Sequence, residues 1–115
     1  MSALQIQVKL RAFGPKVDDV APDLGELKVS STLALPLEFG ATQLLSGALR
    51  DALRSLWEGH YGTGMATGVW YVTLTAERDG RQFEDVRMED LPLTFEVLVF
   101  AVVQGLVEKA VAALA

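Results

Sequence analysis

Residues 4–12 read LQIQVKLRA, and in this stretch apolar and polar side chains alternate without a break. A period of two residues is typical of a β-strand with one buried face and one face in water. Gly14-Pro15 ends the pattern, because glycine followed by proline favours a turn or a loop. The polar face of this first strand would present Gln5, Gln7, Lys9 and Arg11.

Three further stretches have strand character. Residues 27–39 alternate again, and Pro36 within them marks an edge or a bulge because proline cannot donate to a strand ladder. Residues 69–78 and 81–88 flank Asp79-Gly80, a dipeptide that strongly favours a two-residue hairpin turn. We therefore expect four strands, most of them antiparallel.

The outward face of the hairpin can also be predicted. In its first strand, alternation would place Tyr71, Thr73 and Thr75 on the polar side. In its second strand, Phe83 and Val86 differ in parity, which predicts a bulge between them.

A helix lies between the second and third strands. Leu45, Leu49, Leu53 and Trp57 recur every four residues, which is typical of an amphipathic helix. We expect the helix to begin with Thr42 as its N-cap, since a threonine hydroxyl can accept from the first free amides. Gly59 suits the position just beyond its end.

The chain closes with a second helix, and its start has two readings. The segment LPLEF at residues 35–39 resembles LPLTF at residues 91–95, and Gly47 and Gly105 lie within further similar segments. If the chain is a duplicated ββα unit, the helix starts near Val97. If the match is chance, Asp90 caps a longer helix that starts near Leu91.

These patterns predict one domain over residues 1–115. We expect an α+β fold of two layers, with a mostly antiparallel four-stranded sheet and two helices on one face. On the duplication reading the halves are residues 1–58 and 69–115, joined by residues 59–68.

Composition argues against several functions. The net charge is −5, from 10 basic and 15 acidic residues, which disfavours nucleic acid because phosphate binding needs clustered positive charge. Cysteine is absent, which removes thiolate chemistry and cysteine-based metal sites. The longest apolar run, VLVFAVV at residues 97–103, is far shorter than the roughly 20 residues of a membrane span. We expect a cytoplasmic protein that does not bind membranes, and no cofactor is predicted.

The glycine-rich stretch GHYGTGMATGVWY at residues 59–71 has two readings. A dinucleotide-binding loop follows a strand and opens a helix, whereas here a helix precedes and a strand follows. We therefore read the stretch as a joint rather than a phosphate cradle. Aromatic side chains crowd this joint and could form a ligand or partner site, together with the chain's one histidine. The candidates are Trp57, His60, Tyr61, Trp70 and Tyr71.

Candidates for catalysis and for metal binding are few. His60 is the only imidazole and thus the one weak catalytic candidate. The densest acidic run could in principle hold a divalent cation, although it lacks the spacing of a calcium loop. Its members are Glu84, Asp85, Glu89 and Asp90.

The high apolar content gives the leading functional reading. Half of the residues are hydrophobic and the mean hydropathy is +0.29, so a chain of this size is expected to keep apolar surface outside its core. We expect a non-catalytic, self-associating assembly, adaptor or structural subunit, with viral or phage subunits among the candidates. The expected partner is another copy of the chain or a different protein. The expected interface residues are Pro36, Val99, Val103 and Leu106.

Two alternatives remain open. One is a small-ligand-binding module that uses the aromatic residues between 57 and 71. The other is an enzyme whose pocket forms between subunits, with His60 and a carboxylate as acid and base.

Overall fold

One antiparallel sheet and two helices make up the fold. The computed structural model describes residues 3–38, 40–62, 67–90 and 96–115. The elements in chain order are β1 (Ala3–Phe13), β2 (Asp23–Ala34), α1 (Gln43–Tyr61), β3 (Val69–Arg78), β4 (Arg81–Asp90) and α2 (Glu96–Ala113). The strands lie in the order β2-β1-β3-β4, and every neighbouring pair is antiparallel. The predicted α+β fold with a four-stranded sheet and two helices is confirmed.

The core lies between the sheet and the helices. Alternation in β1 sends its apolar side chains to one face, and β3 does the same, so the two central strands bury a continuous surface. Burial of this surface is the main favourable contribution to folding. Its fully buried members include Leu4, Val8, Leu10, Val72 and Leu74 from the strands and Leu49, Leu53, Trp57, Val103 and Leu106 from the helices.

The hairpin between β3 and β4 forms as the sequence predicts. Asp79 has φ 54° and Gly80 has φ 81°, the pair of positive values that a type I′ turn requires. From this turn the register runs unbroken from Arg78 opposite Arg81 to Val69 opposite Asp90. The predicted bulge between Phe83 and Val86 is therefore wrong. Regular alternation gives the two residues opposite faces.

The predicted start of α1 is confirmed, and its predicted end needs correction. Thr42 is the N-cap, but its hydroxyl donates to Gln104 Oε1 of α2 and makes no capping hydrogen bond. Gly59 lies inside the helix, which continues to Tyr61. Gly62 ends it, with φ 69° and its N–H donating to the Glu58 carbonyl at 2.9 Å. A left-handed residue at this position is a common helix stop.

The described part of α2 begins at Glu96. The LPLTF segment at residues 91–95 lies outside the described residues, and so the choice between the two predicted starts and the duplication stay predictions. Among the described residues, a Cβ added at Gly105 would meet nothing within 4 Å, and one at Gly47 would meet only an Arg50 nitrogen at 4.0 Å. Close packing within the described part of the chain therefore does not require glycine at either position. Neither described helix is long and apolar enough to span a membrane.

Candidate functional site

The aromatic residues expected to form one cluster are divided by the sheet. Trp57 and Trp70 are buried in the core, and each indole N–H lacks a hydrogen-bond partner among the described residues. Tyr61 packs beside Trp57, with ring centroids 5.0 Å apart, and covers Gly14 so closely that a Cβ there would collide with its hydroxyl. Tyr71 lies on the opposite face of the sheet. The structure thus brings together Trp57 and Tyr61 but separates Tyr71 from them.

His60 lies on the exposed side of the last turn of α1. Its Nδ1 is 3.0 Å from the Leu56 carbonyl oxygen. Because a carbonyl only accepts, this contact requires the Nδ1 atom to carry the proton and donate. A basic group is well placed here, since the C-terminal end of a helix carries partial negative charge.

The acidic run on β4 is spread over both faces of the sheet. Asp85 faces the helices and pairs with Lys109 Nζ at 3.3 Å, and Glu89 pairs with Arg87 at 2.5 Å. Glu84 and Asp90 point to the other face, as strand alternation requires. Among the described residues, no group of three or more histidine, aspartate or glutamate side chains is placed to hold a metal ion.

The residues expected at an interface have different environments. Val99, Val103 and Leu106 are buried in the core against the sheet and offer no surface to a partner in this fold. Pro36 is exposed two residues beyond the end of β2. Of the four expected interface residues, only Pro36 is thus accessible in the described structure.

Neither helix covers the sheet face on the other side from the core, nor does any other element of the described residues, and we call it the open face. Its side chains follow from the register, five rows deep across four strands. The predicted outward residues of β1 and β3 lie on it. Along β2 and β1 the rows carry Thr32, Ser30, Lys28 and Glu26 beside Gln5, Gln7, Lys9 and Arg11, with Phe13 at the end of β1. Along β3 and β4 they carry Glu77, Thr75, Thr73, Tyr71 and Val69 beside Gln82, Glu84, Val86, Met88 and Asp90.

One end of the open face is apolar. Met88 is 59% exposed, Val86 51% and Tyr71 38%. Tyr71 meets Phe13 edge to face, with ring centroids 5.7 Å apart and an interplanar angle of 86°. Exposed single hydrophobic residues are ordinary on protein surfaces, whereas neighbours of this kind on adjacent strands form a patch that favours a partner.

The loop between β1 and β2 closes this apolar end into a cleft. Gly14 N–H donates to the Pro22 carbonyl at 2.9 Å, and Val17 and Val20 exchange backbone hydrogen bonds, so the loop has a defined shape. The cleft has a volume of about 480 Å³, and its lining includes Phe13, Pro15, Lys16, Tyr71 and Met88. Val17 and Val20 at the tip of the loop are each 67% exposed. Apolar surface therefore extends from the sheet onto the loop.

A second cavity lies between the start of α1 and the middle of α2. It has a volume of about 660 Å³ and is lined partly by Leu37, Thr42, Gln43, Phe100, Gln104 and Glu108. Several of its polar groups bond to one another, with the Thr42 hydroxyl on Gln104 Oε1 and Gln104 Nε2 on Glu108 at 2.9 Å. Groups that satisfy one another in this way give little indication of a ligand.

The part of the open face that sequence reasoning missed is the β4 column. The sequence contains the information needed, because strict alternation counted outward from Asp79-Gly80 places Val86 and Met88 beside Thr73 and Tyr71. The bulge expected between Phe83 and Val86 prevented this prediction, since a bulge changes the face on which later residues lie.

The fold and the open face define a class of protein: a small two-layer α+β domain with a bare, partly apolar sheet face. Comparison of the chain with protein-family models, with curated proteins and with solved structures finds no match. Function is therefore argued from the surface itself.

Proposed function

We propose that the protein is a non-catalytic, self-associating assembly, adaptor or structural subunit. The observation that carries the proposal is the apolar end of the open face, where Tyr71, Val86 and Met88 lie exposed on neighbouring strands. Covering such a surface removes apolar area from water, the main driving force in most protein association. The apolar composition of the whole chain supports the same reading.

Light scattering on matched variants tests this proposal. The wild-type protein is expected to have a mass above that of one chain at micromolar concentration. Met88→Glu, which places a charge in the apolar patch, should weaken association by about tenfold or more, since an unpaired charge in a dry interface is costly. Leu44→Glu is the control, because Leu44 is 87% exposed on α1 and far from the open face.

The light-scattering results show whether the protein associates and whether the open face or the helix layer forms the interface. A wild-type protein that stays monomeric at every accessible concentration would contradict self-association. A wild-type oligomer that loses its mass in Leu44→Glu but not in Met88→Glu would move the interface to the helix layer.

The cleft beside Tyr71 favours a second candidate, a module that binds a small apolar ligand. Its volume of about 480 Å³ lies within the usual range for ligand pockets, roughly 300–1,000 Å³. Isothermal titration calorimetry across a panel of aromatic and aliphatic metabolites would detect such binding. Met88→Glu should abolish the heat of binding while Leu44→Glu preserves it; a panel that gives no heat of binding would count against this candidate.

A further inference from the structure

The open face carries charges of both signs without partners. Lys9 and Lys28 are direct cross-strand neighbours in its middle row, and neither makes an ion pair with a described residue. Like charges directly opposite each other on one face destabilise a sheet. Glu77 and Glu84, toward the other side of the face, also make no ion pair within the described part of the chain. Arg11 on β1 is already paired within the chain, with Asp23 at 3.8 Å and with Glu26 at 3.5 Å. The unpaired charges are thus basic on β2 and β1, which we call the basic half of the face, and acidic on β3 and β4, which we call the acidic half.

These opposite charges are too far apart to meet within one chain. Lys28 is on β2 and Glu84 is on β4, which are the two edge strands of the sheet. Three strand spacings of about 4.8 Å separate them, or roughly 14 Å. A molecule that places acidic groups over the basic half of the face and basic groups over the acidic half would give both sets of charges a partner.

A second copy of the chain places its acidic half over the basic half of the first copy in only one orientation of the two-fold axis that relates the copies. With the axis perpendicular to the strands and centred on the face, each strand lies over itself, and Lys9 and Lys28 meet their own copies. With the axis parallel to the strands and between β1 and β3, β2 lies over the partner's β4. Lys28 then lies over the partner's Val86 and beside the partner's Glu84. This orientation alone pairs the basic half with the acidic half.

The same orientation covers Val86 and Tyr71 of the apolar patch with lysine and arginine side chains, and it places Met88 over the partner's Glu26. The long stems of Lys28 and Lys9 would lie over the partner's Val86 and Thr73, since lysine can bury its methylenes while its ammonium reaches a carboxylate. Arg11 would lie over the partner's Tyr71, a favourable cation–π placement. Sheets packed face to face with nearly aligned strands are a common architecture.

The area is sufficient for a dimer. Four strands with about nine residues each make a face of roughly 20 by 30 Å. Two such faces would bury about 1,200 Å² in total, which reaches the lower end of the range for specific interfaces.

We infer that the open face binds a second copy of the chain, sheet on sheet, about a two-fold axis parallel to the strands and between β1 and β3. This inference rests on the proposed self-association and adds its surface, its symmetry and the Lys28–Glu84 pairing.

Charge reversal tests the pairing. Lys28→Glu and Glu84→Lys should each raise the dimer dissociation constant by about tenfold or more, because each places like charges together twice per dimer. An equimolar mixture of the two variants should recover association to within about threefold of wild type, since both pairs are then opposite in sign. Sedimentation velocity gives the constants, and ¹⁵N-labelling of one variant lets native mass spectrometry identify the heterodimer.

The control mixture combines Lys28→Glu with Glu58→Lys. Glu58 is exposed on α1, so this variant has the same net charge as Glu84→Lys but changes no residue of the open face. Glu58→Lys alone should dimerise like wild type, and its heterodimer with Lys28→Glu should form more weakly than the Lys28→Glu–Glu84→Lys heterodimer, because one of its two charge pairs is still like in sign. Circular dichroism of every variant should match wild type, and the milder Lys28→Gln and Glu84→Gln replace any variant that unfolds, with weaker association expected for each.

Each outcome decides something different. A monomeric wild type contradicts both the proposed function and this inference. If the wild-type protein associates and neither charge reversal weakens association, the open face is not the interface, but self-association itself is still supported. Reversals that weaken association without recovery in the mixture overturn the orientation of the axis.

Discussion

Two glycines near the end of α1 require different backbones, although they lie three positions apart. Gly59 is exposed inside the helix, and a Cβ there would meet nothing within 4 Å. Gly62 has φ 69°, a left-handed conformation that side chains rarely adopt. Gly59→Ala should therefore raise the free energy of unfolding by roughly 0.5–1 kcal/mol, whereas Gly62→Ala should lower it by about 1 kcal/mol.

Urea denaturation followed by circular dichroism measures both changes. Equal effects of the same sign at the two positions would contradict the helix end described here.

Trp57 is the largest side chain that α1 buries, at 1% exposed, and it packs against Tyr61. Trp57→Ala should lower the free energy of unfolding by about 3–5 kcal/mol, because it removes a large buried surface and leaves a cavity. Leu44→Ala on the exposed side of the same helix should change it by less than about 0.5 kcal/mol. Chemical denaturation compares the two; a Trp57→Ala protein as stable as Leu44→Ala would contradict the core placement of Trp57.

Among the elements, α2 is tied to the β3–β4 hairpin at its last turn. Arg78 donates to the Leu114 carbonyl oxygen at 3.0 Å, and Arg81 donates to the same oxygen at 2.6 Å. Cationic donors satisfy the free carbonyls at a helix end and complement its partial negative charge. Two charged side chains thus hold the end of α2 against the sheet.

Removing one of these donors should loosen the end of α2. Arg81→Met should lower the free energy of unfolding by about 1 kcal/mol and speed amide hydrogen exchange in the last turn of α2. Arg87→Met is the control, since Arg87 pairs with Glu89 on its own strand and such surface pairs contribute little. If both variants exchange as slowly as wild type in that turn, the contact does not stabilise the helix end.

Most of the elements could be predicted because their signals are local. The alternation of β1, the apolar row of α1 and the Asp79-Gly80 turn each fix an element from neighbouring residues alone. The start of α1 at its N-cap Thr42 was predictable for the same reason, although the hydrogen bond from the Thr42 hydroxyl to Gln104 in the other helix was not. The other end of α1 could not be predicted in this way, because Tyr61 in its last turn packs over Gly14 after β1, which is remote in sequence.

The candidate site was predictable in part for the same reason. The outward residues of β1 and β3 follow from alternation, and the structure confirms them. Val86 and Met88 were missed because a bulge was expected where the register is regular. The pairing of Lys9 with Lys28 depends on the register across the loop at residues 14–22, which no local pattern in the sequence fixes.

For the whole molecule, the central claim is that a second copy covers the open face. The chain contains no cysteine, so a single introduced thiol reports its own surroundings. Thr73 lies in the middle row of the open face on a central strand, whereas Leu44 lies on the exposed side of α1.

Cross-linking of single-cysteine variants with a short bis-maleimide tests the claim most directly. Thr73→Cys should yield covalent dimers at micromolar protein concentration, because the two thiols lie close to the proposed axis and to each other. Leu44→Cys should form no covalent dimer under the same conditions, because its two thiols lie on the outer sides of the proposed dimer. Efficient dimers from Leu44→Cys and none from Thr73→Cys would contradict the account.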